Sequence, residues 1–159
     1  MALTSEQIDT LTLDELRVEI AIECGWVLTE WPAEYDALFY DQHPAPFKSL
    51  TPPSHTNILR VNCSGSNFME CAGVLLRVDC PNYPLDIVAA WSLVEVLIAA
   101  GRRCEVKIDS FGSTCKIYPS AGNSAIMSFA RVRNIVPTDN RAPETICRAF
   151  LKAVNHHGG

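Results

Sequence analysis

The sequence has no apolar run as long as the ~18–20 residues that a helix needs to cross a bilayer. Its first ten residues carry neither a basic region nor an apolar core, so we expect no secretory signal and no membrane partner. Positive charge is not in excess either, because 13 lysines and arginines stand against 18 acidic residues, a formal net charge of −5. Nucleic-acid-binding proteins usually carry a basic patch or stripe, so this balance argues against a nucleic-acid partner.

Metal-binding and catalytic patterns are also scarce. The seven cysteines form no C-x-x-C pair, and Cys63, Cys71 and Cys80 are spaced more widely than zinc ligands usually are. Their odd number favours small buried thiols in a reducing compartment over a disulfide framework. Two of the four histidines lie in the last four residues and two in a proline-rich stretch, which leaves no nucleophile–base pair for hydrolysis. We therefore predict no metal, no cofactor and no catalysis.

Apolar residues are plentiful, at 48% of the 159 residues, and charged residues make up 19%, as is typical of one globular domain spanning residues 1–159. Helical periodicity predicts three main helices, at about 12–24, 84–100 and 143–155. Thr12 and Glu15 match a capping box at the start of the first of these. Residues 1–11 are predicted to be a polar lead without regular structure.

The segment from Pro84 to Gly101 is predicted to be the central helix, with the proline in its first turn and the glycine as its stop. One apolar stripe follows steps of four, three and four residues, and we expect it to be buried. The stripe comprises Ile87, Trp91, Val94 and Ile98.

The last helix is predicted to open at Pro143 and Glu144. Its buried stripe comprises Ile146, Phe150 and Val154, with Cys147 and Leu151 beside them. We expect Arg148 and Lys152 to lie on its outer face.

Alternation of apolar and polar residues predicts a three-strand antiparallel meander over residues 104–109, 114–119 and 125–133. The third strand is predicted to place Ala125, Met127 and Phe129 on one face. One or two further strands are expected within residues 57–80, at 57–63 and 73–80, after a proline-rich loop at 41–56. The class is therefore α+β, an antiparallel sheet packed with helices, and the open edges of a meander make a homodimer plausible.

Three segments follow one another along the chain and read LDELRVEIAIECGW, YPLDIVAAWSLVEVL and APETICRAFLKAV. In this order they resemble the phage ABA-sandwich domain family of small phage and prophage proteins. The resemblance implies a phage origin and an antiparallel sheet packed with helices, and it implies little about activity. A phage protein of this kind is expected in the cytoplasm of the infected bacterial host.

Aromatic residues concentrate between residues 26 and 40, a composition that suits stacking on a flat ligand or, equally, a lid over the core. Arginine and lysine side chains elsewhere could meet phosphate groups, or could simply form solvated faces. The predicted ligand-binding residues are Trp31, Tyr35, Tyr40, Arg60, Lys107, Arg131 and Arg133.

We predict a phage-encoded counter-defence protein that sequesters a nucleotide-type immune signal of the host without catalysis. The alternative is a protein-binding inhibitor of a host defence complex, similar in role to an anti-CRISPR protein. Its acidic surface would come from Glu30, Glu34, Asp36 and Asp41. A small hydrolase or a phage accessory protein is a further alternative.

Overall fold

The computed structural model describes residues 3–31, 47–51, 68–71, 74–78, 80–120, 122, 124–136 and 139–156. Its helices are α1 (Ser5–Thr10), α2 (Leu13–Glu23), α3 (Ile87–Ala99) and α4 (Ala142–Asn155). Its strands are β1 (Val27–Trp31), β2 (Phe47–Thr51), β3 (Phe68–Cys71), β4 (Val74–Val78), β5 (Arg103–Asp109), β6 (Gly112–Tyr118) and β7 (Ser128–Arg133). The predicted α+β class is confirmed, and none of the described helices is long and apolar enough to span a membrane.

The chain divides into two compact units. Unit 1 comprises residues 1–20 and 81–159, and unit 2 comprises residues 21–80. The predicted organisation as one domain stays a prediction.

The described strands of unit 2 form a sheet of order β1-β2-β4-β3, in which β2 and β4 are parallel and the other pairs antiparallel. Strand β4 matches a predicted strand, whereas the strand predicted at residues 57–63 lies outside the described residues. Strand β2 lies inside the predicted proline-rich loop, where Pro46 and Pro52 flank five residues without proline. Proline is tolerated at strand ends but not in a paired interior, which explains these bounds.

Unit 1 is built around α4, which packs against α1 and α3 as well as the sheet β5-β6-β7. Cover from these neighbours buries every residue from Ala142 to Leu151. Small residues at Ala149 and Ala153 let the neighbouring elements approach closely. Two buried hydroxyl contacts join helix to sheet: Ser113 Oγ lies 2.5 Å from Thr145 Oγ1, and Ser128 donates to the Ala149 carbonyl at 2.9 Å.

The central helix is present, but the predicted buried stripe is wrong in three of its four positions. Trp91 is 48% exposed, Ile98 is 58% exposed and Ile87 also faces solvent, whereas Val94 is buried as predicted. The side that packs comprises Ala90, Leu93, Val94 and Leu97. The helix is apolar on nearly all sides, so periodicity alone does not select which stripe is buried.

Helix α3 also begins later than predicted. The Asp86 carboxylate caps it by accepting from the amides of Val88 at 2.8 Å and Ala89 at 3.4 Å, so Pro84 precedes the helix. Gly101 ends it in the left-handed conformation, with φ of 78°, as predicted.

The predicted polar lead is wrong, because it contains helix α1. A capping box between Thr4 and Gln7 starts this helix, and Ile8 on its inner side is fully buried. Because α1 covers α4, the prediction for the outer face of α4 is also wrong. Arg148 is 8% exposed and bonds to α1, and Lys152 is partly covered and pairs with Asp9 at 2.7 Å.

The meander is confirmed, but the third strand presents the opposite face to that predicted. Strand β7 begins at Ser128, and its buried residues are Ser128, Ala130 and Val132. Phe129 therefore lies on the exposed side. The small side chains at positions 128 and 130 suit the close approach of α4, which a phenylalanine there would prevent.

Candidate functional site: a cationic sheet face and its cleft

The sheet β5-β6-β7 packs one face against α4 and exposes the other, which we call the open face. Strand register defines its members, which are Arg103, Glu105, Lys107 and Asp109 on β5, Gly112, Thr114, Lys116 and Tyr118 on β6, and Phe129, Arg131 and Arg133 on β7. Five of these side chains are cationic and two are carboxylates, so the face has an excess of positive charge on a chain whose net charge is −5.

Both carboxylates of the open face already have partners. Glu105 accepts a hydrogen bond from the Tyr118 hydroxyl at 3.1 Å, and Asp109 accepts one from the Phe111 amide at 2.9 Å. The Arg103 guanidinium lies 4.0 Å above the centre of the Tyr118 ring, a cation–π contact that holds it at one end of the sheet. Arg131 and Arg133, towards the other end of the sheet, take no part in the contacts of Arg103, Tyr118 and Glu105.

A cleft of about 470 Å³ lies at that other end, and its volume is in the range of small-molecule sites. The residues that line it are Ser110, Phe111, Arg131, Arg133, Asn134, Ile135 and Val136. Both arginines are exposed, and the Phe111 side chain is 77% exposed at the turn between β5 and β6. In the described part of the chain the ion pairs join other residues, namely Arg141, Arg148 and Lys152 with Glu144 and Asp9. Neither cleft guanidinium forms an ion pair with a described carboxylate.

Hydrogen bonds hold the backbone of the cleft walls. The Asn134 amide donates to the Phe111 carbonyl at 3.1 Å, which ties the β5–β6 turn to the end of β7. The Asp139 carboxylate accepts from the amides of Ile135 at 3.0 Å and Val136 at 3.1 Å. Such fixed walls lower the ordering cost of binding a ligand.

Gly112 allows strand β7 to come close to β6 beside the cleft. A Cβ atom at this position would lie 2.2 Å from the Val132 carbonyl oxygen and 2.9 Å from the Cα of Arg133. Only glycine fits there without moving the backbone that carries Arg133.

The structure brings together three of the predicted ligand-binding residues. Lys107 and Arg131 both pair with Thr114 and so lie in one row across the open face, with Arg133 two residues further along β7. Trp31 lies in the other unit, at the end of β1, and its side chain is outside the described part of the structure. Tyr35, Tyr40 and Arg60 lie outside the described residues, as do Glu34, Asp36 and Asp41 of the acidic alternative.

Sequence reasoning missed the two aromatic residues of this region, Phe111 and Phe129. The segment FARVR places Phe129, Arg131 and Arg133 at steps of two, which puts all three on one face of a strand. This spacing by two residues was the signal that could have identified Phe129. For Phe111 the signal was an aromatic residue inside the SFGS hairpin turn, where a large apolar side chain is seldom needed for folding.

No group of three or more potential metal ligands occurs among the described residues. Cys115 lies on the helix-facing side of β6, where burial raises the pKa of its thiol to about 12, and the nearby Cys104 thiol acts in the same direction. The same cause, burial, raises the pKa of Cys104, which Arg102 partly opposes. Neither thiol is poised as a nucleophile.

The shifted pKa of Cys115 predicts a loss of stability in base. Above about pH 8.5 the unfolded chain releases the thiol proton and the folded chain retains it, so the free energy of unfolding falls as the pH rises towards the folded pKa. We expect Cys115 to contribute about 2 kcal/mol to this fall between about pH 8 and about pH 10.

Urea denaturation of the reduced protein and of Cys115→Ala at both pH values measures this contribution as a difference. Ionisation of groups that do not interact with Cys115 is common to both proteins and cancels, which leaves the coupled pair of Cys115 and Cys104. An identical pH dependence in the two proteins would contradict the prediction.

Comparison of the chain with protein-family models, with curated proteins and with solved structures finds no match in any of the three.

Proposed function

We propose that this protein binds an anionic, nucleotide-type small molecule in the cleft and sequesters it without transforming it. One observation carries the proposal: Arg131 and Arg133, which form no ion pair with a described carboxylate, line a cleft of about 470 Å³ together with the exposed Phe111. Guanidinium groups donate paired hydrogen bonds to phosphate oxygens, and an aromatic ring offers a stacking surface for a base.

The composition of the cleft favours binding over chemistry. Its lining supplies cations, the Asn134 amide, apolar side chains and the Ser110 hydroxyl, and none of these residues is a histidine, cysteine or carboxylate. General acid–base catalysis draws mostly on those groups. Retention of an intact ligand is therefore the outcome that this donor set supports best.

The biological part of the proposal depends on the resemblance to phage ABA-sandwich proteins. A phage protein that holds a host nucleotide signal in the bacterial cytoplasm would lower its free concentration and so blunt the defence that depends on it.

Substitution of the cleft arginines tests the site. We expect Arg131→Gln and Arg133→Gln each to weaken the binding of adenosine monophosphate by roughly 10- to 100-fold, because each removes a charge-assisted hydrogen bond to phosphate. Isothermal titration calorimetry measures the affinity, and thermal melting checks that the variants fold.

Arg103→Gln is the matched control, since it removes the same charge from the same face at the opposite end of the sheet, and we expect binding within about twofold of the parent. Equal loss in all three variants would mean that the face attracts anions generally and that the cleft is not a site. Chromatography of the ligand after heat release separates sequestration, which returns it intact, from hydrolysis.

The exposed apolar side of α3 favours a second candidate function, protein binding. Val88, Trp91 and Ile98 are all largely exposed on this helix, and clustered apolar residues of this size are typical of contact surfaces. The predicted homodimer or a host defence protein would use this side. If neither adenosine monophosphate nor any nucleotide from infected-cell lysate is bound, this candidate takes precedence.

A further inference from the structure

We infer that the ligand contains two nucleotide units, because the open face adds a second stacking position to the cleft. This inference rests on the proposed function and names the class of ligand. Phe129 is 43% exposed and lies on the open face two residues before Arg131, where it pairs with Lys116 of β6. The cleft holds the other ring, Phe111.

The backbones of the two phenylalanines lie at opposite ends of the arginine pair. Residues on one face of a strand recur about every 6.7 Å, so the backbone positions of Phe129 and Arg133 are about 13 Å apart. Phe111 lies beyond Arg133, tied to Asn134 by the amide–carbonyl bond of 3.1 Å. Along the edge of the sheet the order is therefore aromatic, cation, cation, aromatic.

One base cannot occupy both stacking positions. Stacked rings have centres about 4.5–7 Å apart, so a single base that contacts one phenylalanine leaves the other unused. Two bases held apart, with phosphate between them, match the order of side chains along β7. Lys107 lies in the row of Arg131, about 9.6 Å away across β6, and adds a third cation beside the phosphate position.

Charge complementarity supports this occupant over an apolar one. The open face carries five cations against two carboxylates, so its net charge is positive although Asp109 lies in the same row as Arg133. Sequence-tolerant stacking on aromatic rings beside a basic groove is the usual mode for bases in unpaired strands.

Affinities for adenosine monophosphate, for the linear dinucleotide pApA and for cyclic di-adenosine monophosphate test the inference. We expect at least one of the two dinucleotides to bind at least about tenfold more tightly than the mononucleotide. We expect Phe129→Ala to weaken dinucleotide binding by roughly 5- to 100-fold and to leave mononucleotide binding unchanged, whereas Phe111→Ala weakens both.

Ile108→Ala is the control, because it removes a side chain that is 59% exposed from the face of β5 opposite to the open face, and we expect it to leave the binding of all three probes unchanged. Mononucleotide binding with no gain for either dinucleotide and no effect of Phe129→Ala would overturn the inference and leave the proposed function intact. Failure of all three probes to bind, with no nucleotide bound from infected-cell lysate either, would overturn both. Comparison of the linear and cyclic probes identifies which of the two forms the face accepts.

Discussion

Glu144→Ala is expected to lower the free energy of unfolding by about 3–5 kcal/mol, because it leaves a buried guanidinium without its counter-charge. Glu144 is 4% exposed and lies between two arginines. Its Oε1 accepts from Arg148 Nε at 3.0 Å, and its Oε2 accepts from Arg141 Nε at 2.9 Å. Arg148 in turn donates to the carbonyls of Ile8 and Leu11 at the end of α1, the latter at 2.9 Å.

Removal of the carboxylate therefore affects two junctions at once, the first turn of α4 and the attachment of α1. Urea denaturation followed by circular dichroism measures the loss, and hydrogen exchange of the α1 amides shows whether that helix detaches first. Asp9→Ala is the matched control, since it breaks the pair with Lys152 at an exposed carboxylate and is expected to cost less than about 1 kcal/mol. Equal losses in the two variants would show that the buried network is no stronger than a surface pair.

Leu97→Ala is expected to cost about 2–5 kcal/mol, whereas Trp91→Ala is expected to cost about 1 kcal/mol or less. The leucine is 2% exposed, so its truncation leaves a cavity beneath α3. The tryptophan is the larger side chain but half of it is already in water, so little packing is lost. Burial, and not side-chain size, decides the order of the two effects.

Urea denaturation of both variants at one pH measures this order directly. A greater loss for Trp91→Ala than for Leu97→Ala would mean that α3 is rotated by roughly one residue, or about 100°, to the stripe that periodicity suggests.

Local signals predict where the elements of unit 1 lie, but they do not predict which sides are covered. Thr12 and Glu15 mark the start of α2, and Gly101 marks the end of α3. Each signal acts through contacts within a few residues. The burial of Arg148 depends instead on α1, about 140 positions away, and no local pattern reports such a partner. Helix α1 itself was missed because its six residues are too short for a clear periodicity, although its Thr4–Gln7 capping box is visible in the sequence.

The candidate site was partly predictable for a similar reason. Arg131 and Arg133 share a strand face by parity, whereas Lys107 joins them only through the register of β5 with β6. The cleft is lined by residues of the β5–β6 turn and of the segment after β7, and their approach across the sheet is not encoded in composition or spacing. The role predicted for the 26–40 segment stays a prediction, since residues 32–40 and the Trp31 side chain lie outside the described part of the structure.

The anchoring of α1 by Arg148 has a consequence for synthesis on the ribosome. The hydrogen bond from Arg148 to Leu11 spans 137 positions. At about 5–20 residues per second, a nascent chain that already contains α1 waits roughly 7–27 s before its anchoring arginine is translated. Residues 21–80 emerge during that interval, so unit 2 has time to form before unit 1 does. Helix α1 is therefore synthesised before unit 2 but reaches its native contacts only after Arg148 has been translated.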